Sequence, residues 1–304
     1  MKKILLLLLI AVLGAAGLAV KLAPMTHAGE MRQLTVNGVE RSYYLYVPPG
    51  LPSGAPLVIM LHGAGGDGRG AILTSGWEQV ANDDEFVVAG PNASMDHPDR
   101  APGRRNLSFW NAGVASEPAG VAASDDVGFI VAMIDDIART VGIDRRRVYV
   151  AGFSSGGHMA NRLGQEIAGR LAAISTSASQ MAPLPRPPSR GIPVLFSAGD
   201  RDPITPVGGA RIALPEGRFL VKESQRALVD RWRTLDGCPA AHTIPAPSDV
   251  LIEVSGPCRD GSEVRYILMH GVDHRWPTDK PIDITQASWD FFKRFSLPAA
   301  PAGN

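Results

Sequence analysis

Short apolar runs alternate with amphipathic stretches along most of this 304-residue chain. The apolar runs have the length of buried strands, and they occupy residues 56–61, 86–89, 147–151, 172–176, 193–197 and 264–269. Between them, apolar residues recur at helical spacing over residues 130–137 and 159–171. Because each strand–helix–strand unit forms a right-handed crossover, this alternation predicts an α/β fold with a mostly parallel, doubly wound sheet.

The domain is predicted to open with an antiparallel hairpin. Residues 31–47 alternate between apolar and polar around Asn37-Gly38, a dipeptide typical of a two-residue hairpin turn. Two later stretches, residues 92–121 and 181–193, are too irregular for core elements. We interpret both as loops over the edge of the sheet.

The first 28 residues have the composition of an export signal. Lys2 and Lys3 precede an apolar run over residues 4–20, and a polar stretch then ends at Ala28. We therefore expect residues 1–28 to be a signal peptide and the rest of the protein to be secreted or periplasmic. The apolar run also has the length of a marginal membrane anchor, so contact with a membrane is expected only if this segment is retained.

No linker or charge run divides the rest of the chain, so we expect a single domain over residues 30–297 and a short tail at residues 298–304. The only two cysteines are Cys238 and Cys258. Since an oxidising compartment lets such a pair form, we expect a disulfide between them.

The charge composition disfavours several kinds of partner. Thirty basic residues balance thirty acidic ones, so the chain has no excess charge with which to bind a nucleic-acid backbone. Its one His-x-x-x-His spacing, His270 to His274, contains a glycine and falls in a predicted loop, which disfavours a zinc site. We expect no nucleic-acid partner, no metal and no cofactor.

The segment Gly152-Phe153-Ser154-Ser155-Gly156 matches the G-x-S-x-G pattern between a predicted strand and a predicted helix. In that context a tight turn lifts the Ser154 hydroxyl above the sheet as a nucleophile. The helix N-terminus supplies a backbone N–H, that of Ser155, to a developing oxyanion. A second donor, Ala64 N–H, is expected from the glycine-rich segment after the first buried strand.

That glycine-rich segment also fits a second pattern. Residues 63–68 match G-x-G-x-x-G, which dinucleotide-binding proteins carry after their first strand. However, no acidic residue ends the next predicted strand, as ribose binding would require. The dinucleotide interpretation also leaves Ser154 unexplained.

A nucleophilic serine needs a histidine base and an acid that orients the base, in the chain order serine, acid, histidine for this kind of sheet. Asp200 and Asp202 follow the predicted strand 193–197, and His270 and His274 follow the strand 264–269. Both positions are at the carboxyl ends of strands, where open α/β sheets build their sites. Spacing alone leaves two candidates for each role.

Together these segments resemble the polyhydroxybutyrate-depolymerase and feruloyl-esterase-like group of secreted α/β-hydrolases. The resemblance covers most of the chain after the leader, through residues 61–63, 110–111, 125–129, 148–157, 199–203 and 274–277. The His-x-Trp-Pro ending selects His274, and an acid three positions after its glycine selects Asp202. Cys238 and Cys258 fall where the family often carries a bridge. The sequence departs from the family at two positions. Some members have cysteine at the position of Ala64, and most have glycine at the position of Asp273.

The resemblance implies an α/β-hydrolase fold and a catalytic domain over residues 30–297. It implies a serine esterase whose triad of Ser154, His274 and Asp202 cleaves short hydroxyalkanoate or hydroxycinnamoyl esters, as small molecules or parts of a polymer. We expect Trp110 and Trp276 to form an aromatic wall for the substrate. A serine peptidase or an acyltransferase could use the same triad, and a non-catalytic binding protein could use the same scaffold.

Overall fold

The computed structural model describes residues 28–94, 108–115, 117, 121–183, 186–213 and 219–299. Nearly all of the predicted signal peptide and most of the predicted tail lie outside the described residues. Within the described ranges, no helix is both long enough and apolar enough to cross a bilayer.

Strands and helices are numbered here in chain order. The strands are β1 (Glu30–Val36), β2 (Val39–Tyr46), β3 (Leu57–Leu61), β4 (Val87–Pro91), β5 (Val148–Phe153), β6 (Ala173–Ser177), β7 (Val194–Gly199), β8 (Ala210–Ala213), β9 (Phe219–Lys222), β10 (His242–Ile244), β11 (Val250–Ser255) and β12 (Val264–Met269). The α-helices are α1 (Gly68–Ser75), α2 (Trp77–Asp84), α3 (Asp126–Thr140), α4 (Ser155–Glu166), α5 (Gln225–Leu235) and α6 (Ile284–Phe292).

Ten of these strands form one sheet in the order β1-β2-β4-β3-β5-β6-β7-β12-β11-β10. The six central strands, β4 to β12 in that order, pair in parallel, and two antiparallel strands extend each edge. The predicted mostly parallel sheet with an N-terminal antiparallel hairpin is therefore confirmed. The order places the carboxyl ends of β3, β5, β7 and β12 near one another at one edge of the sheet.

The hairpin turn has the conformation that its sequence requires. Asn37 and Gly38 both have positive φ, at 52° and 80°, which is the geometry of a type I′ turn. The seven register pairs that follow join Glu30 to Leu45 at one end and Val36 to Val39 at the other. The two-residue turn thus sets the register of this edge.

Both faces of the sheet are covered, as a doubly wound fold demands. One face packs against α3, α4 and α5, whose buried side chains include Met133, Leu163 and Trp232. The other packs against α1, α2 and α6 through an aromatic cluster in which the Phe292 ring stacks on Tyr149, with ring centroids 4.9 Å apart. The central strands are buried on both faces, and this explains their continuous apolar runs.

The structure contains four strands that the sequence pattern did not indicate, namely β8, β9, β10 and β11. The first two form a separate two-stranded sheet, and the last two extend the main sheet beyond β12. β10 has three residues with largely exposed side chains, so it carries no apolar pattern. The predicted disulfide is confirmed and joins Cys238, after α5, to Cys258, after β11.

Candidate active site

The turn between β5 and α4 holds Ser154 in an unusual backbone conformation. Its φ is 53° and its ψ is −119°, a combination that costs a non-glycine residue free energy. The flanking glycines allow neighbouring backbone to come close. A Cβ on Gly152 would lie 2.2 Å from the carbonyl oxygen of Gly156, and one on Gly156 would lie 2.2 Å from that of Leu61. The glycines of the G-x-S-x-G pattern therefore meet a steric requirement.

Three of the predicted side chains meet at the carboxyl edge of the sheet. The Oγ of Ser154 lies 3.0 Å from Nε2 of His274, and Nδ1 of His274 lies 2.7 Å from Oδ2 of Asp202. Because an ionised carboxylate only accepts hydrogen bonds, Nδ1 carries the proton and Nε2 is free to accept the serine proton. This is the geometry that nucleophilic serine chemistry needs.

The loop after β7 keeps the Asp202 carboxylate ionised although it is buried. Burial alone would raise the pKa of Asp202, but hydrogen bonds from His274 and Thr205 outweigh it and hold the pKa at about 2. Thr205 donates from both its backbone N–H, at 2.8 Å, and its hydroxyl, at 2.5 Å, and Ile204 N–H donates at 2.7 Å. Thr205 was not singled out from the sequence, although a threonine three residues after an aspartate is a signal for such a turn.

The two rejected candidates also form a pair, but a separate one. Nδ1 of His270 lies 2.9 Å from Oδ2 of Asp200, and Gly271 N–H donates to the other carboxylate oxygen at 2.8 Å. Both side chains are largely open to solvent, at 53% and 36% relative exposure. Within the described residues, neither of them hydrogen-bonds Ser154.

The predicted oxyanion loop lies beside the serine. A Cβ on Gly63 would be 3.5 Å from that of Ser154. His62 shapes this loop with both ring nitrogens, since Nε2 accepts from Ala93 N–H at 3.1 Å and Nδ1 donates to the Gly63 carbonyl at 2.7 Å. Burial lowers the pKa of His62 and keeps the ring neutral. Among the described residues, the N–H groups of Ala64 and Ser155 donate no hydrogen bond.

Trp110, one of the two residues predicted to form an aromatic wall, has a completely buried side chain. Its indole N–H donates to the His62 carbonyl at 3.0 Å, and its backbone N–H donates to Oγ of Ser155 at 3.3 Å. The next residue, Asn111, donates its N–H to buried Asp126 at 2.7 Å. In this structure Trp110 therefore contacts the loop of His62 and Gly63 from within the core, and a role for it in substrate binding stays a prediction.

Trp276, by contrast, is partly exposed and lines a groove of about 250 Å³ next to the triad. Its indole N–H donates to Thr285 at 2.8 Å, which fixes the ring. Phe153 lines the same groove and packs against His274 with ring centroids 4.8 Å apart. The remaining wall is mixed apolar and small polar, with Met60, Gly63 and Thr74 among its residues. The groove therefore runs from the catalytic edge along α1.

The fold is that of an α/β-hydrolase. A solved acetyl xylan esterase from Aspergillus awamori superposes with a TM-score of 0.62 at 17% identity, covering 87% of this chain and 99% of that one. At that identity the likeness supports the fold, and it confirms the α/β-hydrolase architecture.

The chain belongs to the phospholipase/carboxylesterase family, whose sequence profile matches residues 47–216. The protein NocK of Nocardia uniformis subsp. tsuyamanensis, which is named as an esterase, is 30% identical in an alignment of length 271 that covers 81% of this chain and 73% of that one. Feruloyl esterase B of Piromyces equi is 28% identical in an alignment of length 249 that covers 80% of this chain and 43% of that protein. The protein is a carboxylic ester hydrolase, and the esterase resemblance inferred from its motifs is confirmed.

Proposed function

We propose that the protein hydrolyses carboxylic esters through an acyl-enzyme on Ser154. The observation that carries this proposal is the continuous series of hydrogen bonds from Asp202 through His274 to Ser154, at 2.7 and 3.0 Å. His274 takes the serine proton during attack on the ester carbonyl and returns it to the leaving alcohol. Asp202 holds the imidazole in the required tautomer and stabilises its positive charge.

The carbonyl oxygen becomes negative in the tetrahedral intermediate and is proposed to bind Ala64 N–H and Ser155 N–H. The positions of these two N–H groups support the proposal, because Ser155 is the first residue of α4 and the loop of Ala64 borders Ser154. Preorganised backbone donors of this kind stabilise the oxyanion without rearranging. A water activated by His274 then attacks the acyl-enzyme and releases the acid.

The substrates are proposed to be esters with a short hydroxyalkanoate or a hydroxycinnamoyl group. The groove beside His274 supports an apolar or aromatic portion, because Trp276 and Phe153 offer ring surfaces along it. Piromyces equi feruloyl esterase B, by its name, acts on feruloyl esters, and this supports testing that class first.

The proposal for Ser154 is tested with Ser154→Ala on p-nitrophenyl butyrate, methyl ferulate and hydroxybutyrate oligomers. We expect kcat to fall by at least about 10⁴-fold on every substrate that the wild type turns over. An organophosphonate should label the wild-type serine and leave the variant unlabelled. Retained turnover in the variant, or turnover of a p-nitroanilide amide in preference to the ester, would contradict the proposal.

We also propose that residues 30–297 form one catalytic domain that residues 1–28 direct out of the cytoplasm. The basic and apolar composition of that leader and the disulfide between Cys238 and Cys258 support export. Expression of the full chain followed by N-terminal sequencing of the extracytoplasmic protein tests this. A protein that stays in the cytoplasm with free thiols would refute it.

A further inference from the structure

His158 lies one helical turn after the nucleophile, on α4. Its backbone N–H donates to the Ser154 carbonyl at 2.9 Å, so the two residues share a face of the helix. Side chains on an α-helix lean toward its N-terminus, over the preceding turn. The imidazole of His158 is therefore directed toward the turn that carries Ser154.

The Nε2 atom of His158 is buried and has no hydrogen-bond partner in the described part of the chain. His62, a buried histidine near the site, by contrast uses both ring nitrogens for hydrogen bonds. A buried polar atom without a partner costs free energy, and such atoms in folded proteins call for a ligand, a water or a functional role. The Nε2 atom of His158 therefore lacks a hydrogen-bond partner close to the serine proposed as the nucleophile.

The imidazole of His158 is neutral at neutral pH. Burial lowers the pKa of His158 to about 3, and the positive charges of Lys222 and His274 act in the same direction. A neutral ring cannot hold a carboxylate as an ion pair, but its Nε2 donates or accepts a hydrogen bond according to its tautomer. A hydroxyl group suits either tautomer, since it can both accept and donate.

The segment after β6 lies on the same side of α4 as His158. Ser179 packs close to Gly157, and Asn161 donates to the Gln180 carbonyl at 3.1 Å, so the segment after β6 lies along this helix. That segment borders a cavity of about 220 Å³, whose walls include Gln180 and Lys222, and the charge of Lys222 acts on His158. This cavity is distinct from the groove of Trp276.

We propose that His158 is a specificity-determining residue that hydrogen-bonds a hydroxyl group of the substrate through Nε2. The proposal rests on the proposed function, since it places the hydroxyl on the ester that acylates Ser154. The hydroxyl can belong to the acyl group or to the leaving alcohol, and the chemistry at His158 is the same in both cases.

The test compares three variants on paired esters that differ by one hydroxyl. His158→Phe keeps the ring without nitrogen, and His158→Asn places its amide near the position of Nδ1. His158→Gln is the matched control, because its amide reaches the position of Nε2. The acyl pair is p-nitrophenyl 3-hydroxybutyrate and p-nitrophenyl butyrate, and the alcohol pair is 2-hydroxyethyl butyrate and propyl butyrate.

We expect His158→Phe and His158→Asn to lower the ratio of kcat/KM between the hydroxylated and plain ester by about threefold to tenfold in one of the pairs. His158→Gln should keep the wild-type ratio within about twofold. The pair in which the ratio changes identifies the part of the substrate that carries the hydroxyl.

Equal losses on both members of each pair, or no change in either pair, would overturn the proposal. If circular dichroism shows that His158→Phe does not fold, the comparison of His158→Gln with His158→Asn tests the proposal. Both side chains are polar amides, and they differ in length by one methylene group. A wild-type protein that turns over no ester would instead refute the proposed function itself.

Discussion

Two aspartate–histidine pairs link the loop after β7 to the loop after β12, and their surroundings differ. Asp202 is 4% exposed and accepts hydrogen bonds from His274, Ile204 and Thr205. Asp200 and His270 lie in solvent, where such a pair contributes little to stability. Of the two pairs, the buried one hydrogen-bonds Ser154 through His274. A substitution in the exposed pair therefore serves as a control for a substitution in the buried pair.

Asp202→Asn is therefore expected to lower kcat by about 10⁴-fold, because the amide favours the wrong tautomer of His274. Asp200→Asn should keep kcat within about threefold, since surface substitutions away from such networks have small effects. Steady-state hydrolysis of p-nitrophenyl butyrate measures both. Similar losses in the two variants would mean that the triad has been assigned to the wrong carboxylate.

For single residues, the sequence pattern predicted a nucleophile at Ser154 and left two candidates for its acid and two for its base. The pattern around Ser154 is local, because the glycines and the serine meet within one turn. The choice between Asp200 and Asp202 depends on Thr205 and His274, which are brought together by tertiary structure, and only the family resemblance anticipated it. The burial of Trp110 likewise depends on neighbours distant in sequence, such as His62, so no local pattern predicted it.

Among the elements, the β5–α4 turn is the one on which the site depends most. Its glycines let α4 start close to the loop after β3, with Gly156 against the carbonyl groups of Leu61 and His62. The central strands were predictable because burial on both faces leaves continuous apolar runs. β8 to β11 were not, because they are short or lie at edges where exposed positions interrupt the pattern.

Gly156→Ala is expected to lower the free energy of unfolding by about 1–3 kcal/mol and to abolish most activity, because the added Cβ forces the oxyanion loop away from Ser154. Gly169→Ala is the matched control, since its Cβ would meet nothing closer than 3.8 Å. Urea unfolding followed by titration of the active serine with an organophosphonate measures both effects. A Gly156→Ala protein with wild-type stability and labelling would refute the close-packing argument.

For the whole molecule, one buried carboxyl group ties three distant segments together. Asp236 is fully buried at the end of α5, and its Oδ2 accepts from Ile192 N–H at 3.0 Å and from the Ser262 hydroxyl at 2.9 Å. Its Oδ1 has no hydrogen-bond partner in the described chain. Burial raises the pKa of Asp236 to about 6 from an ordinary value of 3.8.

A raised pKa on an acid means that the folded state favours the protonated form. The stability associated with Asp236 is therefore fully present below about pH 4 and is lost as the pH rises to about 6, with a total cost of about 3 kcal/mol above that. Asp236→Asn should remove this cost, so its gain in unfolding free energy is expected to be about 3 kcal/mol at pH 8 and small at pH 4.

Urea unfolding of wild type and variant at pH 4, 6 and 8 measures this difference. Asp230→Asn, an exposed carboxylate on the same helix, serves as the control and should show no comparable change with pH. A stability difference between Asp236→Asn and wild type that stays constant across the three pH values would exclude the titration of Asp236 as its cause.

The positive φ of Ser154 has a consequence for anyone who evolves this hydrolase in the laboratory. Glycine occupies that conformation at little cost in free energy. A selection for thermal stability alone would therefore favour glycine at position 154 and give a more stable protein without catalytic activity. Turnover has to be screened in every round, because at this position thermal survival and activity select different amino acids.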